Sequence, residues 1–229
     1  MDNIIEVNNL SKSYGKNIVF ENVTFSLPRN RMIGLLGDNG IGKTTLLRLI
    51  ADILKPDSGE IYLDGQAVSR KTKDRVSFLL EPINFHSFMK VKDAINYYKD
   101  FFKDFDYDKA IALCTTFELD LSMPIKKLSK GNQERLCLLL NLSRKVPLYL
   151  LDEPVAGFDP KFKRDMIKTI LANLEDNVTV IISTHLLRDL QSIFDEILII
   201  KENEIIQASA DDIRAKGMSI EDYYMEVVE

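Results

Sequence analysis

One stretch of this chain reads Gly37-Asp38-Asn39-Gly40-Ile41-Gly42-Lys43-Thr44: a glycine, four residues, then Gly-Lys-Thr. Glycines keep side chains out of the way, so backbone N–H groups can converge on phosphate oxygens. A helix starting at this point adds the partial positive charge of its N-terminus. Lys43 supplies an ammonium for the terminal phosphates, and the Thr44 hydroxyl a ligand for magnesium. Residue types and spacing together point to ATP bound with magnesium in a loop running from Gly37 to Thr45.

Two further constellations extend that chemistry. Leu150-Leu151-Asp152-Glu153-Pro154 sets adjacent carboxylates at the end of an apolar run. In open parallel sheets, ligands sit at the C-terminal edge of the strands. There Asp152 could hold magnesium, directly or through water, and Glu153 could accept a proton from a water attacking the terminal phosphate. Adjacent acids at a strand end are also common as simple solvated termini; the phosphate loop upstream favours the catalytic reading. Ser183-Thr184-His185 ends another apolar run. A lone histidine there is more often structural, yet its place at the same edge would let the imidazole touch the terminal phosphate or the attacking water. The other histidine, His86, lies in an expected loop and receives no role.

The elements that must position these groups follow from the pattern. Residues 4–10 and 23–27 read as strands, the second with clean alternation. Residues 32–36 read as a buried strand leading into the loop, and 45–54 as a helix stopped by Lys55-Pro56. Residues 58–65 read as a strand that leaves one turn and enters another, and a further strand is expected at 75–80. Residues 82–145 are mostly helical in pattern, with aromatics concentrated at 97–107, and read as an insert. The strands resume at 148–152, 178–183 and 196–200, separated by helices (the first at about 161–174). A last edge strand lies near 201–206, and the tail beyond Ala210 is helical. Strands alternating with helices predict an α/β fold with a mostly parallel sheet covered on both faces.

Composition narrows the classes. With 229 residues and 45% hydrophobic content the chain can bury a core. Its net charge of -5 makes nucleic acid a poor default partner, since that affinity rests on phosphate neutralisation by Lys and Arg. No apolar run approaches the roughly 20 residues of a membrane span, and the start of the chain lacks signal-peptide character. Cys114 and Cys137 read as buried free thiols rather than a disulfide or metal site.

The three constellations, taken with Leu128-Ser129-Lys130-Gly131-Asn132-Gln133-Glu134-Arg135, closely resemble the nucleotide-binding subunit of ATP-binding cassette (ABC) transporters. The likeness extends from Ile4 to about Ser209. The Leu-Ser-x-Gly segment is that family's own marker; Ser129 and the amides near Gly131 would form a second anion site at a helix start. The resemblance implies a P-loop NTPase core with an N-terminal antiparallel β subdomain (residues 1–80 and 146–229) and a helical subdomain bearing the marker (81–145), all in one ATPase domain. It implies that Tyr14 stacks on adenine, that Asp159 in Ala156-Gly157-Phe158-Asp159 communicates across a dimer, and that His185 is the switch histidine.

This chain departs from the family pattern at two places. Glu81 stands where Gln is usual, after the strand at 75–80; a carboxylate can still ligate magnesium or orient water, and binds a metal more strongly than an amide. Lys130 and Asn132 replace the usual second Gly and Gln of the marker and keep polar donors there.

The resemblance implies further a head-to-tail pair of nucleotide-binding subunits, with itself or a homologue, in which Ser129 of one contacts ATP held by the other. The permease would be a separate chain, docked near residues 81–89 and the helical insert, with Phe85, Phe88 and Met89 as candidate contacts. The protein would then be cytoplasmic, peripheral on the inner face of the cell membrane. The short chain, Glu81 and Asp159-Pro160 resemble the bacterial exporter class. The competing expectation is a soluble cassette ATPase that drives an assembly or mechanical switch.

Overall fold

A computed structural model describes residues 2–79, 85–86, 88–154, 160–174, 177–184 and 187–229, with 160–162, 164, 165 and 189 described by backbone alone. The elements in chain order are β1 (Asn3–Tyr14), β2 (Asn17–Pro28), β3 (Met32–Leu36), α1 (Lys43–Ile50), β4 (Ser58–Leu63), β5 (Gln66–Ala67), β6 (Val76–Leu79), α2 (Val91–Phe101), α3 (Tyr107–Thr116), α4 (Lys130–Leu142), β7 (Leu148–Asp152), α5 (Pro160–Asn173), β8 (Thr179–Ser183), α6 (Leu187–Leu190), β9 (Glu196–Lys201), β10 (Glu204–Ser209), α7 (Ala210–Ala215) and α8 (Ile220–Val228). They form two compact units. The first comprises Met1–Val76, Pro147–Glu153 and Asp176–Glu229; the second comprises Ser77–Val146 and Pro154–Glu175, so that α5 groups with the helical insert.

In the first unit, strands run in the order β10-β9-β3-β8-β7. Pairings β9–β3, β3–β8 and β8–β7 are parallel, and β10 closes the edge antiparallel to β9. Parallel strands covered on both faces need continuous apolar sequence. Here Ile33, Leu35, Leu36, the four residues Leu148 to Leu151, Val180, Ile181 and Ile197 to Ile199 are all buried. The register puts Leu35 beside Ser183 and Ser183 beside Asp152, so three neighbouring strands end level. A second sheet, antiparallel and ordered β2-β1-β4-β5, belongs to the same unit. The mostly parallel sheet and the N-terminal antiparallel sheet are those expected.

Several boundaries differ from the sequence reading for local physical reasons. The expected strands at 4–10 and 23–27 are parts of one long hairpin turning at Gly15, whose φ is +63°. Asn9 and Asn22 sit at φ 49° and 53°, and register shifts interrupt the pairing, so the period-2 alternation is lost through residues 11–22. Helix α1 starts two residues early, at Lys43, and stops at Ile50 rather than 54. Asp52 takes a left-handed conformation (φ 54°), and Lys55 pairs with its carboxylate while Lys73 lies 3.8 Å away; that geometry ends a helix.

The second unit is helical. Asp106 caps α3, its side chain accepting from the Lys109 amide at 2.9 Å, and Ser129 caps α4. Residues Leu136 to Leu142 of α4 are all buried, Cys137 among them. Buried Arg144 is satisfied by a two-pronged pair with Asp104 (3.0 and 3.1 Å) and lies 4.0 Å over the Phe102 ring. Both cysteines are buried, as expected, and burial raises the Cys114 thiol to about 11.

Gly34 on β3 faces the ring of fully buried Phe194, and a Cβ there would stand 2.8 Å from it. Gly34→Ala is therefore expected to destabilise the fold by about 1–3 kcal/mol, read as a lower urea midpoint at unchanged slope. A variant as stable as the parent would show that this approach is not tight.

Candidate nucleotide site

The phosphate loop leaves the C-terminal end of β3, between β9 and β8, and enters α1. Its path depends on glycine most clearly at Gly42, where φ is 125°. A Cβ at Gly42 would lie 2.6 Å from Val19 Cγ1 and 3.2 Å from the Phe20 ring. The β1–β2 hairpin thus backs the loop at its last turn. Tyr14 is at the end of β1, two residues, or about 7 Å along the strand, beyond the Lys12 that pairs with Phe20. Tyr14 is 48% exposed, with the Lys12 ammonium 5.8 Å from its ring centroid.

Lys43 is buried, and its ammonium donates to the carbonyls of Gly37 (2.7 Å) and Asp38 (3.1 Å). The loop so curls around its own cation. Phosphate oxygens entering the loop would compete for the same ammonium with full charge assistance.

Thr44 donates its hydroxyl to Asp152 Oδ2 at 2.6 Å. The other carboxylate oxygen, Oδ1, accepts from the Ser183 hydroxyl at 2.5 Å. The same Ser183 oxygen accepts from the Glu153 backbone N–H at 3.0 Å, and the Ser183 carbonyl accepts from that N–H at 3.2 Å. This relay follows from register: β8 lies between β3 and β7, so Ser183 is beside Asp152 at the level where the loop departs. Glu153 turns off the strand at φ 47°, a left-handed conformation sparsely populated for residues other than Gly, Asn and Asp.

Asn39, Gly40, Gly42, Lys43, Thr44, Thr45, Asp152 and Glu153 line one pocket of about 190 Å³. A hydroxyl and a carboxylate converge in it, the hard oxygen donors magnesium prefers. The residues present fit that ion. No group of three or more His, Cys, Asp or Glu suited to a metal is found among the described residues.

The remaining candidates stand as follows. Gly37 and Asp38 border a neighbouring cavity with Asn39, and Ile41 packs its Cγ2 toward Gly37. Ser129 and Gly131 belong to the second unit: Ser129 caps α4, its hydroxyl oxygen accepting from the Asn132 amide at 3.3 Å, and Gly131 is in the first turn. The Lys130 side chain is 83% exposed, 4.0 Å from Glu134. Glu81, Asp159 and His185 lie outside the described residues, as do Ala156, Gly157 and Phe158. In the second unit Phe88 is 78% exposed and stacks on His86, while Phe85 and Met89 are half-buried. Two groups that sequence reasoning passed over stand beside the loop. Ser183 was read only as strand end, and Tyr224, on α8, lies 3.3 Å from Asp38 Oδ1.

A sequence profile of the family described as ABC transporter matches residues 20–156. The chain belongs to the ABC transporter family. Among curated relatives, the ABC transporter ATP-binding protein YtrB of Bacillus subtilis is 28% identical over 222 residues, 95% of this chain and 76% of that one. The lantibiotic transport ATP-binding protein SrtF of Streptococcus pyogenes is 26% identical over 207 residues, 89% of each chain. A solved structure of an ATP binding subunit of an ABC transporter shares the fold, with TM-score 0.84 over 99% of this chain and 100% of that one at 23% identity. ATP is the ligand this family's domain binds. Among the described residues no helix is long and apolar enough to cross a membrane.

Two substitutions probe this geometry. Gly42→Ala should add about 1–3 kcal/mol of backbone strain on top of the Val19 clash, weakening ATP binding about tenfold or more with unchanged far-ultraviolet circular dichroism. Ser183→Ala should leave the pocket shape intact but release Asp152, lowering magnesium affinity or turnover about 10- to 100-fold. A Ser183→Ala protein with parental metal dependence would remove Ser183 from the site.

Proposed function

We propose that this chain is the ATP-hydrolysing subunit of an ABC transporter, working as one of two nucleotide-binding subunits on a separate membrane permease. Support for hydrolysis comes above all from one observation: Lys43, Thr44, Asp152 and Glu153 line a single pocket, with Thr44 and Asp152 in direct hydrogen bond.

In this reading the amides of Gly37 to Thr45 and the Lys43 ammonium cradle the phosphates. Thr44 and Asp152 would hold magnesium, with Glu81 as a further ligand. Magnesium, when bound, would offset the negative charge gathering on the terminal phosphates. Glu153 takes the proton of the attacking water, its backbone held by Ser183. His185 contacts the terminal phosphate or that water, Tyr14 stacks on adenine, and Asp159 lies on the path between subunits. Most of the catalysis is placement and charge stabilisation rather than covalent chemistry, as in phosphoryl transfer generally.

Ser129 and Gly131 would complete the site of a facing subunit. Their support is local: a serine-capped helix start is an anion-binding arrangement, and Lys130 adds an exposed positive charge. ATP would then hold the two subunits together and hydrolysis would release them. Exposed Phe88 offers the permease an apolar contact, and the chain would lie on the inner face of the membrane through that partner. The names of YtrB and SrtF, which are ATP-binding proteins of transporters, support the transport reading.

Glu153→Gln tests the core of this proposal. Loss of the base should lower turnover by about 100-fold or more while ATP binding persists, so that size-exclusion chromatography with ATP and magnesium shows a stable dimer. Hydrolysis at the parental rate would sink the general-base role. Co-purification with a polytopic membrane protein is the expected result for the permease, and recovery only as a free species counts against it.

A further inference from the structure

The helix α8 is tied to the nucleotide-binding side of its unit by two side chains and one main-chain carbonyl. Glu221 and Tyr224 are spaced three apart and so are neighbours on the helix surface. Glu221 accepts from Arg188 of α6, with both carboxylate oxygens 2.9 Å from Nε. The Val227 carbonyl, in the last turn, accepts from the Lys201 ammonium at 2.6 Å; a cation there also complements the helix C-terminus. Between these anchors the Tyr224 hydroxyl donates to Asp38 Oδ1 at 3.3 Å. Helix α8 itself is well specified: Ser219 and Asp222 form a capping box, and Ile220 is buried.

Asp38 is an awkward residue for its place. A carboxylate in an anion-binding loop repels the polyphosphate that the loop exists to hold. The structure deals with this by geometry. Asp38 does not line the pocket formed by Lys43, Thr44, Asp152 and Glu153. It lines a second cavity of about 190 Å³, bordered also by Asn39, Thr184, Leu187 and Tyr224. Burial and the Asp38 charge both push the Tyr224 phenol above its ordinary range.

We propose that Tyr224 is a positioning residue for the phosphate loop: its hydroxyl holds the Asp38 carboxylate toward the second cavity, so that ATP affinity depends on the C-terminal helix. This rests on the reading of the loop as an ATP site. Removing the hydroxyl frees the carboxylate to turn toward the phosphates. The effect should fall on nucleotide binding and spare the chemical step, because Tyr224 touches neither the phosphates nor the residues assigned to hydrolysis.

The test is a double-mutant cycle on the full chain: parent, Tyr224→Phe, Asp38→Asn and the pair. It is read by equilibrium binding of a fluorescent ATP analogue with magnesium, by KM and kcat for ATP, and by thermal midpoint. Tyr224→Phe is expected to weaken binding and raise KM roughly three- to tenfold, the range for one typical hydrogen bond lost. Its kcat should stay within about twofold and its midpoint near the parent's, since the ring remains. In the Asp38→Asn background the same change should cost less than about twofold, because no charge is left to restrain. Equal weakening in both backgrounds would overturn the proposal by making Tyr224 a packing residue. Parental affinity in Tyr224→Phe would overturn it outright while leaving the ATP site standing. A parent chain that binds no ATP analogue would overturn the site itself, and this inference with it.

Discussion

The rest of the site depends on one hydrogen-bonded convergence, Thr44 to Asp152 to Ser183. Strands β7 and β8 supply Asp152 and Ser183 at the same level, and α1, entered from the loop that leaves β3 at that level, supplies Thr44. A shift of β8 by one residue would turn Ser183 to the other face and take a partner from both carboxylate neighbours. The buried apolar runs of β3, β7 and β8 make such a shift costly. Core packing is thus what holds the site's polar groups to within hydrogen-bond distance.

The phosphate loop shows the same economy from the other side. Its glycines are needed where the β1–β2 hairpin presses on it, at Gly42, as much as where phosphate would approach. Lys43 is buried, and loop carbonyls hold its positive charge in place. The nearby acid, Asp38, is engaged by Tyr224 instead. Asp38, the one carboxylate of that loop, borders a different cavity from the one lined by Lys43 and Asp152.

Legibility varied with the kind of signal. The buried strands were readable because four or five consecutive apolar residues between turns admit few alternatives, as at Leu148 to Asp152. The long β1–β2 hairpin was only half readable, because positive-φ asparagines at 9 and 22 break the alternation that marks a strand. The end of α1 was misplaced because Asp52 stops the helix through a conformation held by distant Lys73 as well as by local Lys55. Ser183 and Tyr224 gave no signal at all: a serine at a strand end and a tyrosine in a tail helix are ordinary until neighbours are known.

The sequence by itself determined the chemistry. Glycine spacing, Lys43, Thr44 and the Asp152-Glu153 pair specify a phosphate site, since backbone amides, an ammonium and hard oxygens suit little else in that order. Their order with the marker at Ser129 specified the family. Only the tertiary structure decided which groups support that chemistry. Asp152 and Ser183 are 31 residues apart, and Asp38 and Tyr224 are 186 apart. Contacts at such separations come from strand register and helix docking, which are properties of the packed core and of no local stretch of chain.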